Sequence, residues 1–157
     1  MSGCVIVDLQ MPDLNGLELQ QALARAENPL PVIFLSGHGD IPSTVRAMRS
    51  GAEDFLTKTA PREQLLAAVH RAFERDRKER EQREELGELR NRFARLTERE
   101  LEVLRYVVRG WMNKQIAAEL GINERTVKLH RTSVTRKLRA PSVAELTTLA
   151  RRAGIFS

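Results

Sequence analysis

Two runs near the start of the chain, Cys4–Leu9 (CVIVDL) and Val32–Ser36 (VIFLS), are almost unbroken Val, Ile, Leu and Phe. A strand with one wet face alternates apolar and polar residues. A strand covered on both faces does not, and such strands belong mainly to parallel sheets flanked by helices. A third, shorter run is Asp54–Thr57 (DFLT). Helix signals separate the three. Asn15 can cap a helix opening at Gly16, while Asp40 and Pro42 can open a second that Gly51 closes. Pro61 starts a longer helical segment with Leu65, Leu66, Val69 and Phe73 at helical spacing. The order is βαβαβα, an α/β fold with a parallel sheet.

The pattern then changes twice. Glu74 to Glu85 reads ERDRKEREQREE, without one apolar residue and with opposite charges four apart, as in Glu74/Lys78 and Glu79/Arg83. That predicts a solvated helical linker without a coiled-coil seam. From Leu96 onward the spacing is purely helical. Thr97 and Glu100 form a capping box ahead of Leu101, Leu104 and Val108 on one face, and Gly110 ends that helix. Asn113 can cap a short helix holding Ile116, Ala117 and Leu120. Gly121 and Ile122 turn the chain, and Asn123 caps a longer helix to about Leu138. Pro141, Ser142 and Glu145 open a fourth helix that ends near Gly154.

A short helix, a glycine turn and a longer helix make a helix-turn-helix. At about 100° per residue, Val127, Val134 and Leu138 share one side of the longer helix. Arg125, Lys128, Leu129, Thr132 and Arg136 project from the other. Cations can reach guanine edges or phosphates, a hydroxyl can hydrogen-bond, and a leucine can touch a thymine methyl. A merely solvated basic face would look similar on the wheel. Charge distribution separates the two readings. The net charge is +5, but residues 93–157 hold 13 Lys and Arg against 6 Asp and Glu, whereas residues 1–92 hold 13 against 15. The basic excess lies where a polyanion would bind.

The segments Leu96–Leu104 (LTERELEVL), Asn113–Ala117 (NKQIA) and Thr126–His130 (TVKLH) together resemble the LuxR-type helix-turn-helix over roughly residues 93–155. The resemblance implies double-stranded DNA as partner, with Lys128, Leu129 and Thr132 at base-reading positions. It places Asn113, Lys114, Thr126, His130 and Arg131 where backbone contacts form. His130 also lies at the rim of the buried face, where packing is an equal reading. The fourth helix, with Val143, Leu146 and Leu149, matches the family's dimerisation helix, so a homodimer is implied. Packing against the other three helices would use the same residues.

In the first half, Asp8, Ser36 and Lys58 stand at or just after three successive strand ends, the carboxyl edge where α/β sites form. A carboxylate nucleophile, a hydroxyl donor and a cation could converge there on one phosphoryl group. With Asp8-Leu-Gln-Met-Pro12 and Asn15-Gly16, this set resembles the response-regulator receiver, most closely the NarL/FixJ group. The resemblance implies Asp8 as phosphoacceptor, Ser36 and Phe55 as switch residues, Lys58 as the paired lysine and a sensor histidine kinase as partner. Ser36–Asp40 looks like the FixJ-type loop. Thr59 stands where the family has proline, so the loop is expected without the family's cis bond. The family's sheet order, 2-1-3-4-5, has two strand–helix units before CVIVDL, and the acidic pair that binds Mg2+ follows the first. The chain is thus expected to be an N-terminally truncated receiver. Asp8 with the Gln10 carbonyl offers only part of a metal site, and Asp13 reads as a loop residue. CVIVDL becomes an apolar edge, which predicts self-association or partial disorder of this half.

These readings give a partial receiver at 1–73, a charged helical linker at 74–92 and a four-helix LuxR-type domain at 93–157. The lone Cys4 excludes an internal disulfide and reads as a buried thiol. No apolar stretch is as long as a membrane span, the start lacks a signal-peptide pattern, and a cytoplasmic protein without membrane contact is expected. The leading expectation is a two-component transcriptional regulator. One alternative is a phosphorylation-independent DNA-binding protein whose receiver remnant serves only protein contact. A sigma-factor-like module leaves Asp8, Ser36 and Lys58 unexplained. An aspartyl-phosphate phosphatase lacks a second acid for Mg2+, so no enzyme is expected.

Overall fold

The computed structural model describes residues 3–11, 15–26, 29–37 and 41–156. The chain divides into two compact units, Met1–Gln82 and Arg83–Ser157.

The first unit is built on β1 (Val5–Asp8), β2 (Val32–Ser36) and β3 (Asp54–Thr57), parallel and in that order. The second and third match the apolar runs residue for residue, and the first is trimmed by one residue at each end. In register, Val7 stands beside Phe34 and Phe34 beside Phe55, so the central strand is walled by apolar neighbours. Helices α1 (Gly16–Ala24) and α2 (Ile41–Arg49) and the long α3 (Arg62–Ala94) follow β1, β2 and β3 respectively. One core cluster joins Val7, Leu9, Val32, Phe34, Ala47 and Ala52. On the other sheet face Ile33 packs on Ala68 and Ala72 of α3. β1 forms a full ladder with β2 and is an edge strand, with Ile6 46% exposed. Asn15 caps α1 by accepting from the Leu17 N–H at 3.0 Å. Gly16 cannot carry a side chain here: a Cβ would lie 2.8 Å from the Asp8 carbonyl oxygen. Asp13 and the segment His38–Asp40, including the cap assigned to Asp40, lie outside the described residues.

Several expectations for α3 need correction. Its sheet-facing residues are the small Ala68 and Ala72, whereas Leu66 and Phe73 are exposed. Close approach of helix and sheet favours alanine, and the larger side chains fall to the flank. The charged stretch does not stand apart from the helix before it: one helix runs from Arg62 to Ala94. Ion pairs one turn apart hold it, such as Arg75–Glu79 at 2.7 Å and Arg77–Glu81 at 2.9 Å. Nor is it solvated throughout. Asp76 is fully buried and accepts from the Gly3 N–H at 3.1 Å and from Arg80 at 3.3 Å. Arg71 bonds Asp54 at 2.6 Å, which fastens the same helix to β3. Cys4 is half-buried rather than buried. Burial, then the neighbouring Asp76 carboxylate, raises its thiol pKa.

The second unit packs the end of α3 with α4 (Glu98–Val107), α5 (Asn113–Leu120), α6 (Glu124–Leu138) and α7 (Val143–Ala153). Leu89 and Phe93, placed in or beside the linker by sequence, belong to its core with Leu104, Ile116, Val127, Leu138 and Leu146. The Thr97/Glu100 capping box forms, and Leu104 is buried as expected, with Leu101 and Val108 partly buried against the same core and Glu100, Val103 and Val107 completing the buried face. Gly121 adopts φ 64°, the left-handed conformation that ends α5 and lets α6 begin three residues later.

Candidate functional site

The carboxyl edge of the sheet gathers Asp8, Ser36 and Lys58. A backbone bond of 2.8 Å from the Lys58 N–H to the Ser36 carbonyl sets Lys58 against the end of β2. The Lys58 ammonium reaches the Asp8 carboxylate (Oδ2) at 2.5 Å, and the Gln10 N–H donates to the other oxygen at 3.0 Å. The Lys58 hydrogen bond, then the Gln10 bond, holds the Asp8 carboxyl below the ordinary carboxylate range. Ser36 is at the same edge but only 1% exposed. Phe55 sits back from the edge, its ring 6.0 Å from that of Phe34. The peptide bonds of the described residues, Lys58–Thr59 included, are trans. No group of three acidic, His or Cys side chains able to hold a metal occurs among the described residues. Gln10 presents its N–H to Asp8, and both Asp8 oxygens are engaged. These residues alone do not fit Mg2+, which needs several oxygen ligands in octahedral array.

The outer face of α6 is as the wheel requires. Val127, Val134 and Leu138 are buried, while Arg125, Lys128, Leu129, Thr132 and Arg136 are exposed, Leu129 at 64%. Asn123 organises the start of the helix, accepting from the Thr126 N–H at 2.7 Å and the Thr126 hydroxyl at 2.9 Å. The Thr132 hydroxyl donates back to the Lys128 carbonyl at 3.0 Å. His130 is half-buried. Asn113 does not cap α5. It is the first helical residue, and the cap is Met112, whose N–H donates to the Gln115 side chain at 2.8 Å. The Asn113 oxygen instead accepts from Arg131 at 2.8 Å, tying α5 to α6. Lys114 is exposed beside it. A groove of about 580 Å³ runs between these helices and the start of α7, lined by Asn113, Lys114, Lys128, Arg131 and Thr132 among others.

Comparison with known proteins decides what these sites belong to. Residues 2–70 match the response regulator receiver domain, and residues 94–150 match the bacterial regulatory proteins of the luxR family. Nodulation protein W of Bradyrhizobium diazoefficiens is 47% identical over 155 residues, covering 99% of this chain and 68% of that protein. The chain is a NarL/FixJ-type two-component response regulator. The transcriptional regulatory protein FixJ of Azorhizobium caulinodans is 40% identical, over 98% of this chain and 72% of its own length. Response regulator protein TodT of Pseudomonas putida is 41% identical, over 96% and 66%. The chain thus spans about two thirds of the length of these relatives. The solved response regulator StyR matches with a TM-score of 0.84 and 43% identity, covering 97% of this chain and 77% of its own. Receivers of this family use Mg2+ for phosphorylation, so a metal-binding set for this response regulator would need ligands beyond the described residues.

One residue of the response regulator escaped the sequence reading. Glu100 was legible only as a cap. It is 5% exposed and accepts from the Thr97 N–H at 2.8 Å, the Ser133 hydroxyl at 2.6 Å and the Lys137 ammonium at 2.7 Å. Burial alone would raise its pKa. The bonds from Lys137, Ser133 and Thr97 outweigh burial and hold it at about 2. Lys137 also donates to the Arg95 carbonyl at 3.1 Å. This one carboxylate holds the start of α4 against the back of α6, opposite the exposed basic face. Ser133 and Lys137, four apart on the rim of the buried face of α6, were the available signal.

Proposed function

We propose that this response regulator binds double-stranded DNA as a homodimer in the cytoplasm and takes a phosphoryl group on Asp8 from a sensor histidine kinase. The exposed row on α6 carries the reading: Arg125, Lys128, Leu129, Thr132 and Arg136 oppose a buried apolar row on a helix whose rotation Glu100 fixes. Lys128, Leu129 and Thr132 meet base edges in the major groove. Asn113, Lys114, Arg125, Thr126, His130, Arg131 and Arg136 face the phosphate backbone. Lys128→Ala lowers affinity for the preferred site by about 1–3 kcal/mol with a small effect on other sequences, whereas Lys114→Ala weakens both and flattens the salt slope. If neither change alters binding in equilibrium titrations at two salt concentrations, α6 is not the reading helix.

In the phosphorylation step an Asp8 oxygen bonds to phosphorus as the phosphorus–nitrogen bond of the kinase's phosphohistidine breaks. Lys58 offsets charge on the acyl phosphate, and Ser36 and Phe55 respond as the switch. One observation favours a second reading, a phosphorylation-independent DNA-binding protein: both Asp8 oxygens are engaged and no second acid joins them among the described residues. Intact mass after incubation with acetyl phosphate and Mg2+, with Asp8→Asn as control, separates the two. An adduct that requires Asp8 supports phosphorylation, and no adduct from DNA-binding protein supports the second reading.

A further inference from the structure

We propose that Asn113 and Arg131 act as one donor unit on a single DNA phosphate, with Arg131 setting which way the Asn113 amide faces. This rests on the DNA-binding reading and refines it. An asparagine amide presents an acceptor and a donor, and unconstrained it can flip between them. Here the flip is fixed, because Asn113 Oδ1 accepts from Arg131 Nη1 at 2.8 Å across eighteen residues of sequence. Arginine has no acceptor of its own, so the amide oxygen must face it and the NH2 group must face away. Its NH2 group and the remaining guanidinium N–H groups have no recorded partner among the described residues. Both side chains line the groove that also holds Lys114 and Lys128. The pair therefore brings donors from two different helices together. Such a surface suits a doubly accepting, negatively charged group. A phosphodiester of the DNA backbone has that chemistry. Arg131 is thereby both a phosphate donor and the residue that positions the Asn113 amide, whose NH2 group faces the phosphate only while Arg131 holds its oxygen.

The test couples protein variants to single-phosphate changes. Each phosphate of a duplex selected from a random pool is replaced in turn by a neutral methylphosphonate, and affinity is measured by fluorescence anisotropy. For the wild type, one replacement per half-site is expected to weaken binding about tenfold, the scale of one charge-assisted hydrogen-bonding group. Arg131→Gln and Asn113→Ala should each lose most of the sensitivity at that same phosphate, and the double variant should lose no more than either alone. Arg131→Gln should also flatten the dependence of log K on log salt by about one unit. Arg131→Lys, which keeps the charge without the planar fork, should keep the salt slope and lose the coupling to Asn113. This variant decides the matter if the glutamine variant fails to fold. Additive losses, or sensitivity at two different phosphates, would overturn the shared site. A wild type that binds no duplex would instead sink the DNA-binding reading itself.

Discussion

Each unit of the molecule holds a carboxylate–lysine pair, and the two settings differ. At the sheet edge, Asp8 and Lys58 have side chains 33% and 53% exposed. Behind α6, Glu100 and Lys137 are 6% and 28% exposed, and two further donors satisfy the carboxylate. An exposed pair is screened by water and contributes little to stability, so its carboxylate can change partner at small cost. A buried pair is costly to break, because each partner leaves the other desolvated and alone. The same two functional groups thus serve as a replaceable contact in one unit and as a structural clamp in the other.

The largest expected effect tests the clamp. Glu100→Ala should destabilise the second unit by about 3–5 kcal/mol, the usual cost of stripping one partner from a buried pair. Urea unfolding followed by Trp111 fluorescence reports it, since the ring centre of the single tryptophan lies 4.8 Å from that of Tyr106 in that unit. A change below about 1 kcal/mol would erase the contrast with an exposed pair. A pH titration sharpens the point. The folded pKa of Glu100 is about 2, below its ordinary 4.5, so its contribution is complete above pH 4.5 and drains as pH falls toward 2. The shift corresponds to about 3 kcal/mol lost across that window. In Glu100→Gln this acid limb should be missing from the Trp111-monitored curve.

Asn123→Ala is expected to cost about 1 kcal/mol, the value of a helix cap, in the same unfolding assay. It removes two bonds at the start of α6 while leaving the clamp intact, so an effect as large as that of Glu100→Ala would mean that the cap positions the helix. The smallest effect on stability belongs to Lys58→Met. Hydrogen exchange at the Ile33 and Phe34 amides should be nearly unchanged, while the Asp8 carboxyl, followed by carbon NMR, should titrate at higher pH. Strong loss of protection would show that the exposed pair is a clamp after all.

Strand β2 was legible because a buried central strand writes its environment into every residue, and Val32–Ser36 does so. The outward row of α6 followed from Val127, Val134 and Leu138 alone, since helical rotation carries local information. The capping residues Asn15, Thr97, Asn123 and Ser142 act within their own turns, and each accepts from the backbone as expected. Where partners come from distant segments, pattern reading stopped short. The charge of Asp76 suggested solvent, yet the Gly3 N–H and Arg80 allow it to be buried. Its neighbours in sequence permit Asn113 as a cap, and only the proximity of α6 gives its oxygen to Arg131. Sequence by itself determined the order of elements, the faces of α6 and the family, because periodicity, caps and motifs are properties of nearby residues. Tertiary structure alone decided that Glu100 meets Ser133 and Lys137 and that Arg131 takes the Asn113 oxygen, because hydrogen bonds between distant residues depend on how the chain returns on itself.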